Sequence, residues 1–266
     1  MPVLRRGDPG SGVPLHWAVG VATDRGRVRA RNEDFFAYYV PGDALRRAEA
    51  GSVFCVADGV GGSAAGEVAS AEAANVLLQE YYFAPPGRRA DARLRQAFRR
   101  VAVHLFTLGD DHEEFRNMQT TLTALLLRED RFWVAHVGDA KCYQARAGEV
   151  TQLTRDHSLA AQMRSLGLLR AEEAQRHPGR HVLLRSVGVD PLVRPDMVRG
   201  RLLPGDLFVL VTDGMMDYLT PKELAAQLEN PDLDVGAGAA VALANARGGG
   251  DNLTVLAVRV VQANAL

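Results

Sequence analysis

Cysteine, lysine and aromatic residues are all scarce in this chain of 266 residues. Only Cys55 and Cys142 carry thiols, each inside an apolar run, which excludes a disulfide scaffold and reads as buried free thiols in a reducing compartment. Lysine occurs only at Lys141 and Lys222, so nearly all basic charge is arginine, a compositional bias before it is a functional signal. A charge excess is missing as well: the formal net charge is -1, which leaves no electrostatic footprint for nucleic acid or an acidic membrane. No apolar run approaches the ~18 residues of a membrane span. The opening MPVLRRGDPGSGVPLHW has two arginines but no continuous apolar segment behind them, and does not read as a signal peptide. A cytoplasmic location is expected. What remains is ordinary: 47% hydrophobic and 24% charged residues fit a globular protein with a sizeable core.

Residues 1–14 are rich in glycine and proline and read as a flexible leader. From 15 to 262 no linker, repeat or low-complexity tract interrupts the chain, so a single domain is expected there. Val53–Ala57, Leu207–Thr212 and Leu253–Val261 read as strands. Four more runs, Thr121–Leu127, Arg131–Val137, Lys141–Arg146 and Val150–Leu153, are separated by gaps too short for a crossover helix, which predicts one antiparallel meander. Ala64–Tyr82 and Ala90–Leu108 read as helices, the second from apolar spacing at Leu94, Ala97, Phe98, Val101 and Leu105. Pro221–Leu228 begins with a capping pattern, Thr220 and Glu223, and Val235–Ala246 is a further helix candidate. Antiparallel strands punctuated by a few long helices indicate an α+β fold with layered sheets.

The informative feature is where the aspartates fall. Apolar strands end in Ala57-Asp58-Gly59, Val137-Gly138-Asp139 and Thr212-Asp213-Gly214, and another starts after Asp251-Asn252. Glu33 and Asp34 stand before a further apolar run. A single Asp-Gly is only a turn signal. Several carboxylates at strand ends, however, can meet on one rim of a sheet, where two charges about 5 Å apart repel by roughly 3 kcal/mol. Something cationic must offset that. The donors are hard oxygens with no Cys or His cluster, so Mg²⁺ or Mn²⁺ fits and zinc does not. Paired ions of that kind are the usual apparatus for hydrolysing phosphate esters. The glycine-rich loop from Asp58 to Gly66 allows close backbone approach to a ligand, and lacks the Gly-Lys-Ser/Thr of a P-loop.

These segments, in this order, resemble the metal-dependent serine/threonine protein phosphatases of type 2C, the PPM family, in its compact bacterial form. The motifs that carry the likeness are Thr23–Asp34, Val56–Gly62 with Ala65–Ser70, Thr120–Ala124, Val137–Asp139, Leu153–Ser158, Val211–Gly214 with Asp217, and Gly250–Asn252. The resemblance implies a four-layer sandwich of two packed antiparallel β-sheets flanked by helices. It implies that Asp58 bridges two Mn²⁺ or Mg²⁺ ions, that the Gly59 carbonyl binds one, and that Asp213 and Asp251 complete the other shell. Glu33 and Asp34 would act near the metals through waters, and Arg29 would hold the substrate phosphate. Bacterial relatives bind a third ion, with Asp139 and Asp213 as the matching aspartates. The implied reaction is direct hydrolysis of phosphoserine and phosphothreonine by a metal-bridged water. The implied partners are phosphorylated proteins, targets of bacterial Ser/Thr kinases or the kinase itself, with no nucleic acid or membrane. The alternative is a catalytically silent regulatory module of the same fold that binds phosphoproteins; the complete carboxylate set argues against it.

Departures from the family pattern are Val60 where some relatives carry a histidine, Gln119 for a glycine, and Ala140-Lys141 for Ser-Arg. His181 stands where relatives often have serine; it could replace a third-metal ligand, but is expected to be a flap-surface histidine. His177 and His181 are expected in a loop, His136 as a satisfied strand histidine, and His157 in a structural role. Arg31 is read as a surface charge, and Arg93, Arg95, Arg99 and Arg100 as a solvated helix face. Residues 155 to 203 correspond to the variable flap beside the site, where substrate choice is expected to reside.

Overall fold

The apolar runs become strands of two antiparallel sheets in the computed structural model, which describes residues 15–60, 64–85 and 87–262. The expected leader and part of the glycine-rich loop, 61–63, lie outside the described residues. In chain order, β1 (Leu15–Asp24) and β2 (Asp34–Tyr39) precede α1 (Ala44–Ala50) and the buried strand β3 (Ser52–Val60). Two long helices follow, α2 (Ala64–Tyr82) and α3 (Ala90–Asp111). Next come β4 (Gln119–Thr120), β5 (Leu122–Arg128), β6 (Arg131–Val137), β7 (Lys141–Arg146) and β8 (Glu149–Gln152). The flap holds α4 (Leu159–Ser165), α5 (Ala171–Arg176) and a 3-10 turn, Pro178–His181, before β9 (Asp196–Arg201). Then follow β10 (Leu207–Val211), α6 (Asp213–Met216), α7 (Pro221–Gln227), α8 (Leu233–Ala246) and β11 (Leu253–Gln262).

One sheet runs β1-β11-β10-β7-β8 and the other β2-β3-β5-β6-β9, with β4 beside β3. Their inner faces meet through Phe54, Leu125, Phe132, Phe208, Leu210 and Leu256. The opposite face of β3, with Val53, Cys55 and Ala57, packs on α2 and α3 through Ala69, Ala73, Leu94, Phe98 and Val101. On the far side, Val255 and Ala257 of β11 pack on Leu233, Ala237 and Ala240 of α8. The result is the expected four layers, helices outside and sheets within. β3 and β11 are buried on both faces, which is why their sequences are continuous apolar runs rather than alternating ones. Thr220 and Glu223 cap α7 reciprocally, with Pro221 in its first turn.

Two readings from the sequence are corrected here. The four short-gap strands are not one meander: β5 and β6 pair in one sheet, β7 and β8 in the other. Gly138, at φ 113, turns the chain between the sheets within three residues, so a short gap excludes a helix without keeping the chain in one sheet. Arg93 is not on a solvated face; it is 3% exposed, donates to the Tyr81 carbonyl at 2.9 Å and lies 4.8 Å from the Tyr81 ring centroid. That one hydrogen bond and the ring contact tie α3 to the end of α2.

Candidate active site

Strand register brings the first two carboxylates together. β2 pairs with β3 so that Asp34 and Asp58 are direct cross-strand partners. Like charges placed opposite one another destabilise a sheet, and each residue here is held by neighbours rather than by an opposite charge. The Asp34 Oδ2 accepts from Thr212 Oγ1 at 2.7 Å, while its Oδ1 is buried with no partner among the described residues. The backbone of Asp58 is fixed by Thr121: its N–H donates to Thr121 Oγ1 at 3.0 Å, and its carbonyl accepts from the Thr121 N–H at 2.9 Å. Glu33 is buried beside them, its Oε1 also without a partner among the described residues. Gly59 packs its Cα so tightly that an added Cβ would stand 2.1 Å from the Gly66 carbonyl oxygen and 2.9 Å from that of Glu33. A side chain there would push the glycine loop from the rim.

The second sheet supplies Asp213, two residues after β10, and Asp251, two residues before β11. Asn252 is the hub of this edge. Its Oδ1 accepts from the Glu33 N–H at 2.8 Å, and its Nδ2 donates to the carbonyls of Arg25 and Arg31. The asparagine therefore sets the course of the loop that carries Arg29 and Glu33. Arg29 Nη2 donates to Asp251 Oδ2 at 2.8 Å, and the rest of its guanidinium has no partner among the described residues. Arg31 points outward, as expected, 3.4 Å from Glu67.

Asp139, at the turn out of β6, approaches the same centre from the flap side. Ligand atoms of Asp139, His181 and Asp213 all lie within 4.8 Å of one another. His181 is an exposed flap histidine as expected, with 44% of its side chain open, and its Nδ1 also donates to Asp213 Oδ2 at 2.9 Å. His177 faces elsewhere, accepting from the Gly179 N–H, so the two histidines form no pair. His157 is structural as expected, its Nδ1 accepting from the Gly138 N–H at 3.1 Å and bracing the Asp139 turn. His136 is only half satisfied: Nδ1 meets Thr123 Oγ1 at 2.7 Å, while Nε2 is buried without a partner among the described residues. The departure at Lys141 places an ammonium against the Asp139 carbonyl at 2.9 Å, anchored 3.1 Å from Asp156.

The electrostatics test whether these residues suit a cation. Burial, then the charges of Asp213 and Asp251, push Asp34 up to about 7. Burial, then Asp213, does the same to Asp139, also to about 7. Asp58 is raised well above the carboxylate range by burial and by Asp213, Asp34 and Asp139. Burial alone would also raise Asp213, yet the bond from His181 and the charge of Lys141 hold it below the usual range. The rim thus collects more negative charge than its own side chains offset, with two carboxylate oxygens left over. Oxygen donors in that surplus suit Mg²⁺ or Mn²⁺.

Sequence reasoning named every carboxylate in this cluster. It missed the residues that hold them: Thr121, Thr212 and Asn252 carry no charge signal, and their roles arise only from register.

A family model described as protein phosphatase 2C matches residues 26–241. The serine/threonine phosphatase Stp of Listeria monocytogenes is 31% identical over 240 residues, spanning 89% of this chain and 93% of that protein. Among solved structures, the Mycobacterium tuberculosis serine/threonine phosphatase PstP/Ppp superposes with a TM-score of 0.81 at 31% identity, covering 94% of this chain and 99% of that one. The catalytic domain of PstP in complex with two manganese ions superposes with a TM-score of 0.79 at 30% identity, covering 94% of this chain and all of that one.

Proposed function

The chain belongs to the protein phosphatase 2C family, and from that premise we propose that it is a metal-dependent phosphatase hydrolysing phosphoserine and phosphothreonine in proteins. The observation that carries this reading is the meeting of Asp34, Asp58, Asp139 and Asp213 from separate strand ends, with carboxylate oxygens of Glu33 and Asp34 left without a partner. Asp58, the Gly59 carbonyl, Asp213 and Asp251 would hold two Mn²⁺ or Mg²⁺ ions, with Glu33 and Asp34 beside them. Asp139, Asp213 and His181 would hold a third. Such ions would supply positive charge for the phosphate oxygens and lower the pKa of a water nearby. The silent-module alternative is not favoured, because no carboxylate of the set is missing.

The protein's own groups do the rest. Thr121, Thr212 and Asn252 fix the carboxylates before substrate arrives, so no reorganisation is needed at the moment of reaction. Arg29 presents a guanidinium at the open edge; its free donors fork onto the phosphate and orient the ester. Val60 has no proton to give, so the seryl or threonyl oxygen receives none from that position. Residues 15–262 would act as one catalytic domain, with the flap at about 155–203 as its variable wall. Among the described residues no helix is long and apolar enough to cross a membrane. We place the protein in the cytoplasm, acting on targets of bacterial Ser/Thr kinases or on the kinase itself.

The test is hydrolysis of phosphothreonine and phosphotyrosine peptides by wild type and Arg29→Ala with Mn²⁺ present. Wild type should release phosphate from the phosphothreonine peptide and far less from the phosphotyrosine one. Arg29→Ala should lose roughly tenfold to a hundredfold in kcat/KM, the worth of a charge-assisted contact. Equal kcat/KM in the variant would remove Arg29 from phosphate binding. An inactive wild type with metal bound would remove the phosphatase reading itself.

A further inference from the structure

Between the flap and α6–α7 lies a cavity of about 980 Å³, with Asp139, His181 and Asp213 in its wall. It is continuous with the active site. At the upper end of the range for small-ligand pockets, it has room for more than one phosphorylated side chain. Its lining holds five Lys or Arg and four Asp, of which Asp139 lies at the active site. Three of its lining carboxylates are tied to cations of the same wall: Asp156 to Lys141 at 3.1 Å, Asp217 to Arg180 at 3.0 Å, and Asp213 to His181 at 2.9 Å. Arg155, Arg164 and Arg176 also line it, all exposed and without ion-pair partners among the described residues. All three belong to the flap. Glu172 and Glu173 lie on the same helix as Arg176 but do not line the cavity.

We propose that this cavity is the subsite for the chain flanking the phosphoresidue, and that its three unpaired arginines select acidic residues there. The inference rests on the phosphatase reading and deepens it to a substrate class: phosphoproteins whose serine or threonine lies beside a run of aspartate or glutamate. The argument is charge complementarity. A carboxylate on the substrate meets a guanidinium that no carboxylate of the protein already neutralises, so the contact breaks no existing pair. Small side chains in the wall, Ala161, Ala171 and Ala174, leave the space open for a passing peptide.

The experiment compares phosphothreonine peptides carrying a run of glutamates, or of glutamines, either before or after the phosphoresidue, with p-nitrophenyl phosphate as a substrate too small to reach the arginines. One glutamate peptide should exceed its glutamine counterpart by about fivefold in kcat/KM at low salt, the sum of three exposed pairs. The preference should fall below about twofold in an Arg164→Ala/Arg176→Ala variant and at high salt, where surface pairs are screened. Turnover of p-nitrophenyl phosphate should not change in that variant. Equal hydrolysis of glutamate and glutamine peptides, or a preference that survives the double substitution, would overturn the subsite while leaving the phosphatase reading standing. A wild type that fails on p-nitrophenyl phosphate as well would overturn both.

Discussion

Asp58→Asn is expected to melt higher than wild type in the absence of metal and to turn over at least ~10³-fold more slowly in its presence. The two halves of that expectation have one cause. Asp58 sits opposite Asp34 in register and against Asp213 and Asp139, and burial together with those charges holds its pKa well above the usual range. Removing its charge relieves repulsion that the metal-free fold must bear. The same removal deletes a carboxylate that would hold the ions, and a loss of ~4 kcal/mol in transition-state stabilisation corresponds to that rate factor. Thermal melting without metal and initial rates with Mn²⁺ check both. A variant less stable than wild type without metal, or one with near-normal turnover, would contradict the role given to Asp58.

The second large effect is the dependence of stability on metal and pH together. Asp34 and Asp139 titrate near 7 in the folded metal-free protein, against an ordinary carboxylate value of 3.8. Between about pH 4 and 7 the folded state therefore holds more protons than the unfolded one, so stability falls as pH rises through that window and levels off above it. Divalent cations take the place of those protons. Mn²⁺ at about a hundred times its Kd adds ~2.7 kcal/mol per site, roughly 5–10 °C in Tm for a chain of this size. The gain should be larger at pH 8 than at pH 5, where protons compete for the same oxygens. Melting curves across pH, with EDTA and with Mn²⁺, measure this directly. A metal-free Tm that rises from pH 5 to 8, or a Mn²⁺ shift independent of pH, would mean that these carboxylates do not converge on a cation.

How much of this was legible in the sequence depends on which residues announce themselves locally. Asp58 and Asp213 end long apolar runs, so a strand and a rim carboxylate are visible at once. α7 was legible to within a residue because Thr220, Pro221 and Glu223 are a complete local signal. β1 and β9 were not picked out. β1 is only partly buried, and β9, Asp196–Arg201, carries three charged residues and a glycine as the charged edge of its sheet. Register was beyond reach: nothing local says that Asp34 faces Asp58, or that Asn252 ties the Arg29 loop to the second sheet. Arg93 failed for a related reason, since its burial depends on Tyr81 and Glu49 from other helices. The contact His181 makes with Asp213 was out of reach because the two are 32 residues apart.

The central claim is that the rim carboxylates, charged with divalent cations, hydrolyse phosphothreonine. Its most direct test is phosphate release from a phosphothreonine peptide by one wild-type sample, measured with Mn²⁺, then after EDTA, then after Mn²⁺ is restored. Release that stops with the chelator and returns with the metal is the expected result. Release that continues unchanged in EDTA, or none in Mn²⁺ while the ion measurably binds, would contradict it.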